Sequence, residues 1–396
     1  MTIATEAQKR RILPNEPWVE SPFFEELLPE QGLTPEQEEQ ARFYHENGYL
    51  VLEDAVPEAL LDQVRRQVEP LFDPQVEDRR KSPGRFQDAW EECPAVQQVA
   101  ADPAINGLLE MLYGRRAIPF QTLNFCVGTQ QRGHADSIHF NCIPARYMCG
   151  VWVALEDVSE RNGTLFYYPG SHKLPDYDFN TLGLRLINTL KPGSAEAMTY
   201  QDYDRYEDFI EQLMAVHGLE RVTLNARKGT ALIWATGLVH GGSAIREPGS
   251  SRWSQVTHYY FDDCIYYVPI FSNLTTGDLY LKKVTDIRTG EPVTATFRGL
   301  PLPELPMSNI HKLWLDYEND QDAVKLFSNH EIRNLRGEID HLRTTLEREN
   351  EDLKEQIERL NNWHWEIAHS PSMRLGRALT APFRTLRGLF RQKSTP

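Results

Sequence analysis

Apolar and polar positions change their period several times along the chain. Residues 1–35 are rich in Pro and Glu and hold no sustained period, which predicts a flexible N-terminal arm that packs little. From Pro35 to Tyr49, the residues Ala41, Phe43 and Tyr44 sit in a helix-like stretch that stops at Asn47-Gly48, a pair suited to a left-handed helix end. A short strand, Tyr49 to Leu52, follows. Leu60, Leu61, Val64, Val68 and Leu71 then recur at spacings of three and four, an amphipathic helix over Glu58 to Phe72 that needs a sheet to cover it. Ala104 to Tyr113 reads as a third helix.

After Gly114 the period falls to two. Phe120–Val127, Ser137–Asn141, Met148–Leu155, Leu165–Tyr168, Ala231–Trp234 and Ser254–Phe261 read as strands, separated by turn clusters such as Arg161-Asn162-Gly163 and Pro169-Gly170-Ser171. A few helices followed by many short strands predict a mainly β domain with helical buttresses over 36–305, a jelly roll or sandwich. The interval 173–228 is too long for a connecting loop, and its helix-like Tyr206–Val216 with Tyr200, Tyr203 and Tyr206 marks it as a lid insert. Its acids, Asp202, Asp204, Glu207, Asp208 and Glu211, face water first, with a polar or cationic molecule as the other reading.

From Glu331 the period becomes seven. Ile332, Leu335, Ile339, Leu342, Leu346, Leu353, Leu360, Trp363 and Ile367 fall on the seam, which predicts a coiled coil over 331–369 and a homo-oligomer through it. Glu349 and Gln356 interrupt the seam, and Pro371 ends it. Residues 370–396 alternate apolar and basic positions at helical spacing, a segment able to lie on an anionic membrane or to dock on a protein partner.

Charge narrows the function classes. Forty-two Lys and Arg against 57 Asp and Glu give a formal net charge of −15, so the body should repel nucleic acid. The five cysteines form no C-x-x-C pair, which suits reduced thiols in a cytoplasm. Met1 to Arg11 lacks the apolar core of a signal peptide, and no run approaches the ~18 apolar residues of a membrane span.

The chemistry concentrates on the strands. In Gly133-His134-Ala135-Asp136 the side chains of His134 and Asp136 share one face of an extended segment and can bind one ion. The same spacing recurs at His364-Trp365-Glu366, and such pairs also occur in ordinary turns, so context must carry the assignment. His240, just after the apolar strand Ala231–Trp234, offers a third ligand. Two imidazoles and a carboxylate on one face of an octahedral ion leave three positions open, the arrangement of non-haem Fe(II) oxygenases, two for a chelating 2-oxo acid and one for O2. Arg252, at the start of the next strand, presents a guanidinium that can grip the far carboxylate of 2-oxoglutarate through paired hydrogen bonds.

An ordered series resembles the phytanoyl-CoA dioxygenase family of Fe(II)/2-oxoglutarate oxygenases. It runs through Gly128-Thr-Gln-Gln-Arg-Gly-His134-Ala-Asp136, Val151-Trp152-Val-Ala-Leu-Glu-Asp-Val158, Asn162-Gly163-Thr-Leu, Pro169-Gly-Ser-His172, His240-Gly-Gly and Arg252-Trp-Ser-Gln-Val-Thr-His258-Tyr. The resemblance spans about residues 40–265 and implies a cupin-like double-stranded β-helix. It implies His134, Asp136 and His240 as ligands of Fe(II), Arg252 as the 2-oxoglutarate anchor, and Trp152 and Gln121 beside the co-substrate. It also implies hydroxylation of a small molecule with release of succinate and CO2; the presence of Asp136 sets the chain apart from family halogenases, which carry a small residue there. A competing reading is a non-catalytic jelly-roll adapter that assembles partners through its coil. Separately, the tail resembles the Ser-x-x-x-Arg…Pro-x-Arg endings of bacterial cell-surface polysaccharide enzymes, which implies a bacterial protein at the inner face of the membrane acting on a sugar, lipid-linked or acyl substrate.

Overall fold

The computed structural model describes residues 15–76, 78, 80–184, 201–272 and 279–302, with Leu346, Leu353, Lys354, Ile357, Arg359, Leu360 and 370–372 beyond them. The early helices are α1 (Phe24–Leu27), α2 (Pro35–Asn47), α3 (Glu58–Val68), α4 (Pro94–Ala100) and α5 (Pro103–Tyr113). Local chemistry sets their ends. Thr34 and Gln37 cap the start of α2 reciprocally, and Gly48 closes it at φ +78, where a side chain would be strained. The Asp102 carboxylate accepts from the amides of Ala104 and Ile105 at the start of α5.

The strands are β1 (Tyr49–Leu52), β2 (Lys81–Ser82), β3 (Arg85–Gln87), β4 (Ala117–Phe125), β5 (Asn141–Ile143), β6 (Met148–Ala154), β7 (Leu165–Tyr167), β8 (Val222–Thr223), β9 (Ala231–Ala235), β10 (His240–Gly242), β11 (Ser254–Phe261) and β12 (Ile265–Tyr267). Seven form one antiparallel sheet in the order β1-β9-β6-β11-β4-β3-β2, and β10-β7-β8 form a smaller one. The result is a mainly β fold with helices against one face, as the sequence predicts.

Strand parity explains why β6 and β9 read as unbroken apolar runs. Val151, Val153, Ala231 and Ile233 pack on the helical layer with Leu61, Val64 and Leu109. Their neighbours Trp152, Ala154, Leu232 and Trp234 point the other way and pack with Leu165 and Tyr167 of the smaller sheet. A strand covered on both faces has no polar side to show.

Three expectations change. The N-terminal arm packs from residue 15 onwards: Trp18 donates its indole N–H to the Met111 carbonyl at 3.0 Å, Phe24 stacks on His45 at 4.1 Å, and Leu27 and Leu28 are buried. Bulky apolar side chains outweigh the missing period. Residues 137–141 are not one strand. The Asp136 carbonyl accepts from the amides of both His139 and Phe140, closing a 3₁₀ turn over Asp136–Ile138, and β5 begins only at Asn141. The insert is also not simply a wetted lid. Its helix α6 (Gln201–Val216) buries Tyr206, Ile210 and Met214 against Ala135 and Ile138, and Asp202 and Glu207 are buried with them; Asp204, Asp208 and Glu211 face solvent.

The described residues beyond 330 belong to a second compact unit. Leu346, Leu353, Lys354, Ile357, Arg359 and Leu360 are helical there, and the rest of the heptad segment and of the basic tail lies outside the described residues. All five cysteines are free. Among the described residues no helix is long and apolar enough to cross a membrane.

The packed arm carries a buried carboxyl, Glu20, whose Oε2 lies 3.5 Å from Arg146 and whose Oε1 accepts from the Tyr113 hydroxyl at 3.4 Å. Burial outweighs the pull of Arg146 and pushes its pKa from 4.5 up to about 8. The folded protein therefore holds this proton more tightly than the unfolded chain, and its contribution to stability is lost as pH rises through that window. Glu20→Gln should match the parent at pH 4 and exceed it at pH 9 by on the order of a few kcal/mol. Urea unfolding at both pH values checks this; an equal difference at each would refute it.

Candidate metal centre

The inner face of the large sheet is set by register. Pairing places Phe125 opposite Ser254, Leu123 opposite Val256 and Gln121 opposite His258, while Trp152 of β6 lies opposite Val256 of β11 and Leu232 of β9. All these residues except Ser254 and Leu232 line one cavity of about 620 Å³. That volume suits a small-molecule ligand.

His134, Asp136 and His240 meet in this cavity. His134 and His240 exchange backbone hydrogen bonds in both directions at 3.0 Å, an isolated antiparallel bridge that sets their rings 4.7 Å apart. Ala135 is extended between His134 and Asp136, so the i and i+2 side chains share a face even though a 3₁₀ turn begins at Asp136. One ligand atom from each of the three residues lies within 4.8 Å of the others, and all three are buried.

Hydrogen bonds fix how each group is presented. Nδ1 of His134 lies 3.0 Å from the Arg132 carbonyl and Nδ1 of His240 lies 2.9 Å from the Leu238 carbonyl, so each Nδ1–H donates and each Nε2 carries the lone pair, with the Gln131 side-chain amide 3.3 Å from that of His134. Both Nε2 atoms are 3.9 Å from Asp136 Oδ1. Burial, helped by His240, lowers the His134 pKa to about 3, so its imidazole is neutral and ready to coordinate. Burial would raise the Asp136 carboxyl, but the imidazoles of His240, His258 and His134 outweigh it and hold the group below the usual carboxylate range.

Trp234 orients the carboxylate. Its indole N–H donates to Asp136 Oδ2 at 2.8 Å, and its ring lies 4.7 Å from that of His240. The indole reaches this place because Gly150, its partner across β6, has no side chain; a Cβ there would sit 2.3 Å from the ring. Trp234→Phe keeps the packing and removes the donor, and should weaken divalent-metal affinity by about 10–100-fold with little change in the thermal midpoint. Metal titration by calorimetry reads this, and unchanged affinity would deny Trp234 its role.

Arg252 lies at the other end of the same face, buried to 1% exposure. Its Nε has no hydrogen-bond partner, its Nη1 is 3.4 Å from Ser254 Oγ, and its guanidinium stands over the Phe125 ring at 5.6 Å. No carboxylate lies within ion-pair distance of it among the described residues. Burial lowers its pKa to about 10, with Glu156 pulling the other way. An unpaired buried cation is costly and fits a site that an anionic ligand completes. Trp152 Nε1 is likewise buried without a partner. Gln121 lines the cavity too, but its Oε1 is engaged by His258 Nδ1 at 3.2 Å.

The insert helix grips the ligand loop. The Ala135 amide donates to the Tyr206 hydroxyl at 3.2 Å, His139 Nε2 shares a hydrogen bond with the Tyr203 hydroxyl at 2.9 Å, and Arg132 pairs with Asp208 and Glu211 at 2.6 and 2.9 Å. Of the remaining histidines, His258 stands 3.6 Å from Asp136 Oδ2, His172 Nε2 lies 3.0 Å from the His45 carbonyl, and His217 is exposed. Trp234, Tyr203 and Tyr206 carried no sequence signal for a site: Trp234 reads as core, and the tyrosines read as lid.

Three comparisons bear on this arrangement. The family model described as phytanoyl-CoA dioxygenase (PhyH) matches residues 44–253. The probable phytanoyl-CoA dioxygenase of Caenorhabditis elegans is 23% identical over 284 residues, which cover 63% of this chain and 82% of that one. The peroxisomal phytanoyl-CoA dioxygenase of Homo sapiens is 24% identical over 259 residues, covering 58% and 69%. Among solved structures, the chain is similar to EctD from S. alaskensis with bound Fe, at 19% identity and a TM-score of 0.43 over 58% of this chain and 77% of that one. It is also similar to the epimerase SnoN in complex with Fe3+, alpha ketoglutarate and nogalamycin RO, at 21% identity and a TM-score of 0.44 over 66% and 96%.

Proposed function

The chain belongs to the phytanoyl-CoA dioxygenase (PhyH) family, and from that membership and the buried ligand cluster we propose that it is an Fe(II)- and 2-oxoglutarate-dependent dioxygenase that hydroxylates a small molecule. The observation that carries this reading is the convergence of three buried ligand atoms on one cavity wall, each imidazole held through Nδ1 so that its Nε2 carries the lone pair. In this reading the double-stranded β-helix is the frame, and His134, Asp136 and His240 would hold the metal, with the rest of the cavity open to co-substrate and O2. When bound, iron with 2-oxoglutarate supplies an oxidant strong enough to break a C–H bond, releasing succinate and CO2.

The chain's own residues do the rest. Arg252 holds the far carboxylate of 2-oxoglutarate, and Trp152 offers its free indole N–H to the same molecule. Gln121, held by His258, closes that side of the cavity. Trp234 keeps the Asp136 carboxylate turned toward the ion. Tyr206, from the insert, ties down the Ala135 amide between the ligands, Tyr203 holds the His139 side chain beyond them, and together they keep bulk water from that side. The heptad reading of 331–369 joins this proposal: Leu346, Leu353 and Leu360 are helical, spaced by seven and 55–63% exposed, an apolar stripe that a second copy of the same helix would cover.

Anaerobic titration with Fe(II) and 2-oxoglutarate tests the reading. It should produce a visible charge-transfer band, and admission of O2 should release succinate. A chain that gives neither is an adapter built on an oxygenase frame.

A further inference from the structure

Charge inside the cavity runs opposite to charge on the chain. The protein carries a net −15, yet among the described residues the charged ones lining the cavity are Arg85, Arg252, Lys282 and Lys283 against a single acid, Asp136. On the functional reading above, Asp136 is committed to the metal and Arg252 to 2-oxoglutarate. Three cations are then left facing the remaining space.

Lys282 is the informative one. It is half-buried, with its Nζ wedged 5.3 Å from the centroid of Phe120 and 5.2 Å from that of Phe140. Several partly buried cations in this protein pair with acids: Arg80 with Asp78, Arg288 with Asp286 and Lys228 with Asp62. No carboxylate lies within 4 Å of Lys282 among the described residues. Asp88, the one acid acting on it, already accepts from the Thr122 amide at 3.0 Å and the Gln87 side chain at 2.9 Å. Burial lowers the Lys282 pKa, the mark of a cation short of compensation. Arg85 and Lys283 are exposed at the same cavity, and Arg85 donates only to Ser82 Oγ at 3.2 Å.

The wall between this cation and the ligand cluster is aromatic. The Phe140 ring lies 5.0 Å from that of His258, which in turn stands 3.6 Å from Asp136 Oδ2. A molecule anchored at Lys282 would therefore lie along Phe140 and His258 with its far end beside the metal site.

Resting on the oxygenase reading, we propose that the primary substrate carries an anionic oxygen group, a carboxylate or a phosphate ester, held by Lys282 with Arg85 and Lys283 drawing it in from the rim. A cleft of one sign concentrates ligands of the other, and a partly dehydrated ammonium gains most from a charged acceptor.

The test uses the full chain, reductively methylated with ¹³C-formaldehyde, which keeps every lysine charged. The Lys282 resonance is identified by its loss in Lys282→Arg. Acetate and inorganic phosphate are the probes, with acetamide and glycerol as neutral partners and chloride at matched ionic strength. A saturable shift of that resonance with acetate assigns a carboxylate substrate; one with phosphate assigns a phosphate ester. In Lys282→Gln, affinity for the shifting anion, read by calorimetry, should fall at least about tenfold. No saturable shift with either anion, or equal shifts with the neutral partners, overturns the proposal and leaves Lys282 as a cation resting on two aromatic rings. The resonance is read with and without Fe(II) and 2-oxoglutarate, so a chain without the charge-transfer band would defeat the oxygenase reading while this measurement still reports on Lys282.

Discussion

Asp136→Ala should abolish succinate release and reduce metal affinity by more than about 100-fold, since even an outer partner of a metal ligand is worth about 10–100-fold. Three features concentrate the effect on this residue. Its Oδ1 is equidistant, at 3.9 Å, from the two imidazole Nε2 atoms, so it supplies the only negative charge of the cluster. Its Oδ2 holds the Trp234 indole N–H at 2.8 Å, and removal strands a buried donor. Its backbone carbonyl anchors the 3₁₀ turn, which the substitution leaves intact, so the fold should persist. Calorimetric metal titration and circular dichroism read affinity and fold separately. Normal turnover in Asp136→Ala would end the ligand assignment.

Arg252→Met should raise the KM for 2-oxoglutarate by about 30-fold or more, because truncating one partner of a buried charge pair costs about 2–5 kcal/mol. Arg252→Lys should lie between the variant and the parent: it keeps the charge but loses the paired, planar donors. Stability separates this role from a merely structural one. Without co-substrate the guanidinium is buried with Nε unpartnered, so replacing it by an apolar chain of similar length should leave the thermal midpoint of the ligand-free protein unchanged or raised. If Arg252 instead served a structural ion pair, the midpoint would drop and the KM would hold.

The sequence carried much of this architecture because the relevant signals are local. Periods of three and four marked α3, an Asn-Gly end closed α2, and apolar and aromatic segments between turn clusters marked β6 and β9. The site was legible to the extent that residue type limits chemistry: His134, Asp136, His240 and Arg252 all line one cavity. Less legible were residues whose role depends on what stands opposite them. Trp234 serves Asp136 only because Gly150 across the sheet leaves room for its ring. Lys282 looks like any surface lysine until the rings of Phe120 and Phe140 are placed beside it. The arm from Trp18 to Leu28 lacks a period, yet it packs because single bulky side chains find pockets on α2 and α5.

From sequence alone came the class of the fold, the candidate ligand residues and the sign of the chain's overall charge, since each depends on residue types and near-neighbour spacing. Only the tertiary structure decided which imidazole nitrogen carries the lone pair, which indole steadies the carboxylate, and that a strongly acidic protein encloses a basic cavity. Those properties arise between segments far apart in the chain, where register and side-chain contact, rather than composition, set the distances.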